Sequence, residues 1–161
     1  MGILGNRRMI ARIRGYPDRL MKMQSSYGKI VETASTILVN PQGNLTRELA
    51  VFKKKLRAIQ LTLSACLYYG ESLKSDINMD ISALESNLVV ANESEINAIK
   101  STILTLETEL ATTEKTMTEC RSFSQFLQEV IRTLHIIKEE RGIAQLIKLE
   151  KDLAKTAKKG G

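Results

Sequence analysis

From Glu71 to Arg141 the chain carries no Gly and no Pro, and the second half of that run keeps a heptad frame. Alternating three- and four-residue steps from Ile96 land on Ile99, Ile103, Leu106, Leu110, Thr113, Met117, Cys120, Ser124, Leu127, Ile131 and Leu134. Such a repeat describes a helix that lays one narrow seam against partner helices. At about 1.5 Å per residue the seam is roughly 58 Å long. The expected fold class is all-α: an antiparallel helical hairpin plus long coiled-coil-like helices in an extended helical bundle. Ile96, Ile99, Ile103, Leu106, Leu110, Met117, Leu127, Ile131 and Leu134 are the expected assembly seam, facing partner helices or further copies of the chain. Thr113 and Ser124 are polar seam positions of the kind that set register in coiled coils.

Aromatic residues make up only 4% of the 161 residues and Trp is absent. The core must therefore come from aliphatic packing between helices. The formal charge of +6 is unevenly distributed: residues 1–57 sum to +9, residues 58–140 to −7 and residues 141–161 to +4. A basic–acidic–basic layout suits either an anionic polymer or surface at the ends, or pairing of basic ends with acidic middles of neighbouring copies.

Four segments follow from patterning. Residues 1–16 are a basic amphipathic arm, closed by Gly15 and Pro17. Residues 17–78 form a helical hairpin. Pro17 and Asp18 open its first helix, with a seam at Leu20, Met23, Tyr27, Ile30, Ala34 and Ile37. The turn is Asn40-Pro41-Gln42-Gly43-Asn44, and Asn44 caps a second helix running through Leu45, Leu49, Phe52, Leu56, Ile59, Leu63, Cys66, Gly70, Leu73 and Ile77. Residues 79–157 hold the long heptad helices. After Ile77 the apolar frame slips, so a short helix is expected near 80–91, and Asn92-Glu93-Ser94-Glu95 resembles a capping box that starts the next one, with a single helix carrying an irregular joint as the equal alternative. Gly142 is a candidate hinge, and residues 158–161 form a flexible tail.

The arm is the strongest candidate for function. Wound as a helix, it places Ile3, Met9, Ile10 and Ile13 on one side, expected to enter a membrane interface. Arg7, Arg8, Arg12 and Arg14 on the other are expected to bind an anionic surface. A nucleic-acid backbone would attract the same arginines, and an Arg-rich, acid-poor organelle import segment has the same composition. Met1-Gly2-Ile3-Leu4-Gly5-Asn6 resembles an N-acylation start but lacks the expected Ser or Thr at position six. Lys53, Lys54, Lys55 and Arg57 on the second helix extend the basic set. They have no interleaved aromatic residues for base stacking, so any nucleic-acid binding would be backbone-driven and non-specific.

Catalysis, metals and cofactors find no residue pattern. The lone His135 has no nucleophile spaced to work with it. No Cys/His set has zinc spacing, no calcium-loop pattern occurs among the acids, and no glycine loop is shaped for phosphates. Cys66 and Cys120 fall on apolar seam positions and read first as small hydrophobes, with a disulfide or reactive thiol as the minority reading. No stretch is apolar enough to span a bilayer or to serve as a secretory signal. The expected location is intracellular, cytoplasmic or membrane-peripheral, with organellar import as the alternative.

The stretch Arg47-Glu48-Leu49-Ala50-Val51-Phe52-Lys53-Lys54-Lys55-Leu56, following a basic first helix and a hairpin and preceding acidic helices, resembles the ESCRT-III class of membrane-remodelling filaments over about residues 1–80. The first hairpin arm is shorter than in that class, and a C-terminal adaptor motif is not recognisable. Helical coat proteins of filamentous viruses, which pair a basic arm with a helical hairpin around nucleic acid, are comparably similar. The resemblance implies a filament-forming subunit on an anionic membrane. Taken together, the expectation is a non-enzymatic helical scaffold or filament subunit without cofactors. It would associate with itself or with partner helices, and its basic arm would dock on an anionic membrane surface. A nucleic-acid-coating protein and a small subunit of a large organellar complex are the alternatives.

Overall fold

The structure, a computed structural model, describes residues 7–39, 45–136 and 142–160, with side chains at 39, 45–49, 135–136, 142–146 and 157–160 left aside. The fold is all-α. Helix α1 spans Arg7–Val39, α2 Leu45–Leu88, α3 Glu93–Ile136 and α4 Gly142–Gly160, and there is no strand among the described residues. The expected contributions of Ile3, the 40–44 turn and the Asn44 cap lie outside the described residues. Helix α4 begins at the expected joint, Gly142, and keeps a helical backbone to Gly160, where fraying is expected from residue 158. Lys158 and Lys159 are good helix formers, which accounts for the extension.

Two expected breaks are absent. Helix α1 runs unbroken through Gly15 and Pro17, although an internal proline removes one backbone hydrogen bond and costs about 3 kcal/mol. The compensation is burial on both sides of it. Met9, Tyr16 and Met23 are buried, Ile13 and Leu20 are half-buried, and together they continue the frame of Tyr27, Ile30 and Ala34 back to the start of the helix. Each buried side chain of this size contributes roughly 1.5–3 kcal/mol. Helix α2 likewise continues past Ile77 to Leu88 in place of a separate 80–91 helix. The slip is only apparent: the seam slot after Ile77 belongs to Asp80, a buried carboxylate, and the next is Leu84.

Between α2 and α3 the chain reverses over residues 89–92, where Val90 N–H donates to the Asn87 carbonyl at 3.2 Å. The expected N-cap at Asn92 is formed, with the side-chain half of a capping box. Asn92 Oδ1 accepts from Glu95 N–H at 3.0 Å and from Ser94 Oγ at 2.7 Å, while Asn92 Nδ2 reaches Glu95 Oε1 at 3.4 Å. This satisfies an otherwise orphaned first-turn donor.

The chain divides into two compact units, residues 1–24 with 67–118 and residues 25–66 with 119–161. In the first, α1 and α2 run antiparallel, because Arg12 meets Asp80 and Arg19 meets Asp76. Helices α2 and α3 are also antiparallel, with Gly70 facing Met117 and Lys74 facing Glu114. The core holds Met9, Tyr16, Leu73, Ile77, Ile81, Leu84, Ile99, Ile103 and Leu106. In the second unit Gln60 reaches the Ser124 carbonyl at 3.4 Å and Cys120 reaches that of Leu63 at 3.5 Å, so α2 and α3 are again antiparallel. Its buried residues include Ile30, Leu38, Phe52, Leu56, Leu63, Leu127, Leu134 and, from α4, Leu153.

The expected assembly seam is thus largely consumed inside the chain. Ile99, Ile103, Leu106, Met117, Leu127 and Leu134 are buried, and Ile96, Leu110 and Ile131 are half-buried. Apolar stripes on α1 and α2 supply the partner surface that the seam requires. Thr113 is buried in the seam, and its hydroxyl donates to the Glu109 carbonyl of its own helix at 2.8 Å, the local bonding open to a mid-helix threonine.

Candidate anion-binding face and a buried polar cluster

The first half of α1 sorts its side chains by unit 1's demand for apolar surface. Met9, Tyr16 and Met23 turn inward, and Ile13 packs against the same core. Met9 and Ile13, expected to enter a membrane interface, are therefore committed to protein, since a core position removes their apolar surface from water already. Ile10 is half-buried, and Ile3 lies outside the described residues. Outward face Arg7, Arg8, Ala11, Arg14, Asp18, Met21 and Lys22, all exposed. Among the described residues no salt bridge engages Arg7, Arg8 or Arg14.

Arg12 departs from the expected set. Its guanidinium clamps Asp80 with two bonds, Nε to Oδ2 at 3.3 Å and an Nη to Oδ1 at 2.8 Å. Tyr16 donates its hydroxyl to Asp80 Oδ2. Asp80 is 2% exposed and Tyr16 0%, whereas the Arg12 side chain is 45% exposed. The hydrogen bond to Asp80 raises the Arg12 pKa above its ordinary value. Burial, followed by the bond to Asp80, drives the Tyr16 phenol well above its own. One α1 turn further on, Arg19 donates to Asp76 Oδ2 at 2.7 Å. It also lies 5.8 Å from the ring centroids of both Tyr16 and Tyr69, and Lys22 lies 5.9 Å from that of Tyr69, within cation–π range. For Arg19, burial works against the charge, but the hydrogen bonds to Asp76 and Tyr69 and the Asp76 charge outweigh it and raise the pKa.

This cluster fixes α1 against α2. A buried carboxylate that accepts from two residues can be satisfied in one register only, and sliding α1 by a turn would strand it. The role matches that of a polar residue in a coiled-coil seam. Its pieces were visible in the sequence as an acid in a seam slot of α2 and a tyrosine in a seam slot of α1. Pairing them needs the tertiary alignment.

The second basic set, in unit 2, lies around buried Phe52 and Leu56. Lys54, Lys55 and Arg57 are exposed; Lys53 is half-buried and engaged. In the same unit Cys66 and Cys120 meet. Both are reduced and buried, and Cys120 Sγ lies 3.5 Å from the carbonyl oxygen of Leu63, one turn before Cys66. Among the described residues no group of His, Cys, Asp and Glu is arranged to hold a metal ion, and no helix is long and apolar enough to cross a membrane.

No protein-family model, curated protein or solved structure matches the chain.

Proposed function

We propose that the protein is a non-enzymatic helical scaffold that attaches to an anionic membrane surface by charge, through Arg7, Arg8 and Arg14. The observation behind this reading is the division of α1. Its apolar face is spent on the core of unit 1, while three arginines on the opposite face stand exposed without a salt-bridge partner among the described residues. Attachment of this kind needs no inserted wedge. Each basic residue close to an anionic leaflet contributes about 1 kcal/mol, so three supply a roughly hundredfold gain in partitioning.

Co-sedimentation with phosphatidylcholine vesicles containing phosphatidylserine tests the proposal. The intact chain is expected to pellet at low salt and to release as salt rises. The triple variant Arg7→Gln, Arg8→Gln, Arg14→Gln is expected to lose most of that binding while keeping its helical circular dichroism. Equal pelleting of the two chains, or no pelleting of the intact one, refutes the reading. Tighter binding to duplex DNA than to vesicles at the same salt would transfer it to nucleic acid.

A further inference from the structure

Cys66 and Cys120 are the two cysteines of the chain, separated by 53 intervening residues, and the fold of unit 2 brings Cys120 on α3 to the α2 turn that leads to Cys66. A side chain in an α-helix leans back over the turn before it, which puts the Cys66 thiol over the turn that contains Leu63. Cys120 Sγ sits on that same turn, 3.5 Å from the Leu63 carbonyl oxygen. The contact with Leu63 therefore places both sulfurs at one turn of α2, in keeping with the lowering of the Cys66 thiol by Cys120. Neither side chain points to solvent: Cys66 is 7% exposed and Cys120 1%.

We infer that Cys66 and Cys120 form a redox site that closes into an intramolecular disulfide joining α2 to α3 when the protein meets a two-electron oxidant such as a peroxide. The two roles differ. Cys120 carries one proton and has two acceptors in reach, the Leu63 carbonyl and the Cys66 sulfur. Turned toward Cys66, it stabilises the thiolate there and lowers that thiol to about 7, while its own proton is held more tightly. Cys66, the more exposed of the two, is accordingly the attacking sulfur. Its thiolate takes an oxygen of the peroxide, the O–O bond breaks, and a sulfenic acid and one water result once a proton is supplied. Cys120 then attacks the sulfenic sulfur, the S–O bond breaks, and the Cys120 proton leaves with the hydroxide as a second water. Two electrons and two protons pass from the thiol pair to the peroxide. The bond closes at about 2.05 Å between the two sulfurs.

The partner sulfur also protects. A sulfenic acid with a thiol beside it condenses faster than it is over-oxidised, so the pair stops at the reversible step of the oxidation ladder. A reductant of the dithiol class reopens it by exchange.

The test uses the folded wild-type chain, treated with dilute hydrogen peroxide, quenched and alkylated. The expected product is a monomer lighter by two hydrogen atoms whose non-reducing tryptic map joins the peptide 58–74 to the peptide 116–121. Reduction with dithiothreitol should restore both alkylatable thiols. The oxidised chain should melt roughly 5–15 °C above the reduced one, since the bridge closes a long loop. Cys66→Ala and Cys120→Ala should each abolish the linked peptide. A disulfide-linked dimer, a chain carrying added oxygen at Cys66 with Cys120 still alkylatable, or two unreacted thiols would overturn the proposal. The wild-type peptide map decides it even if an alanine variant does not fold.

Discussion

Replacing Asp80 by alanine tests whether the buried carboxylate holds α1 and α2 together. The substitution leaves the Tyr16 hydroxyl, in a residue that is 0% exposed, without its acceptor, and an orphaned buried donor costs about 1–3 kcal/mol. It also removes the two bonds from Arg12. Because the Arg12 side chain is 45% exposed, water recovers most of that loss, leaving about 0.5–1 kcal/mol. The expected total is about 1.5–4 kcal/mol, seen as a drop of roughly 5–15 °C in thermal melting followed by circular dichroism. The two contributions separate by mutation. Arg12→Gln should cost no more than about 1 kcal/mol. Tyr16→Phe combined with Asp80→Ala should cost about 1–2 kcal/mol less than the two singles added, because the hydroxyl orphaned by the first is removed by the second. An Asp80→Ala cost below about 0.5 kcal/mol, typical of an open surface site, refutes the register argument. So does an Arg12→Gln cost equal to that of Asp80→Ala, which would put the energy in the ion pair and not in the buried bond to Tyr16.

Two further outcomes are expected. Gly28→Ala meets nothing within 4 Å and should raise stability by about 0.5–1 kcal/mol through helix propensity. In Gly70→Ala the new Cβ stands 2.8 Å from Met117 Cγ and 3.1 Å from Met23 Sδ. Overpacking of about 1–3 kcal/mol should cancel or exceed the helix gain, and urea midpoints that rise equally for both variants would contradict this. Glu109 has a buried, unpartnered Oε2, and burial raises its pKa above 4.5. As pH rises the unfolded state gives up that proton first, so stability is lost through the acid range, and the cost is complete above the folded pKa. Glu109→Gln should therefore melt a few degrees higher at pH 7 and no higher at pH 3.5; a gain of the same size at both values would show that ionisation is not the cause.

The all-α class and the seams on every long helix follow from periodicity alone, because a three-and-four spacing of apolar residues has one physical solution, a helix with a buried stripe. The Asn92 cap was equally local: its partners lie within three residues. Three decisions belonged to the tertiary structure. Pro17 is a strong local stop signal, yet α1 passes through it, because apolar residues on both sides gain more from the core than one backbone hydrogen bond is worth. Asp80 interrupts the apolar frame of α2, yet α2 continues, because Arg12 and Tyr16 arrive from 68 and 64 residues away to satisfy it. And the heptad run of α3, which by itself asks for a partner without saying whose, finds much of that partner in its own chain. Local sequence determines which surface each helix must bury. Which surface covers it is decided by long-range alignment, where a single buried carboxylate or a pair of cysteines has meaning only once the other helix is in place.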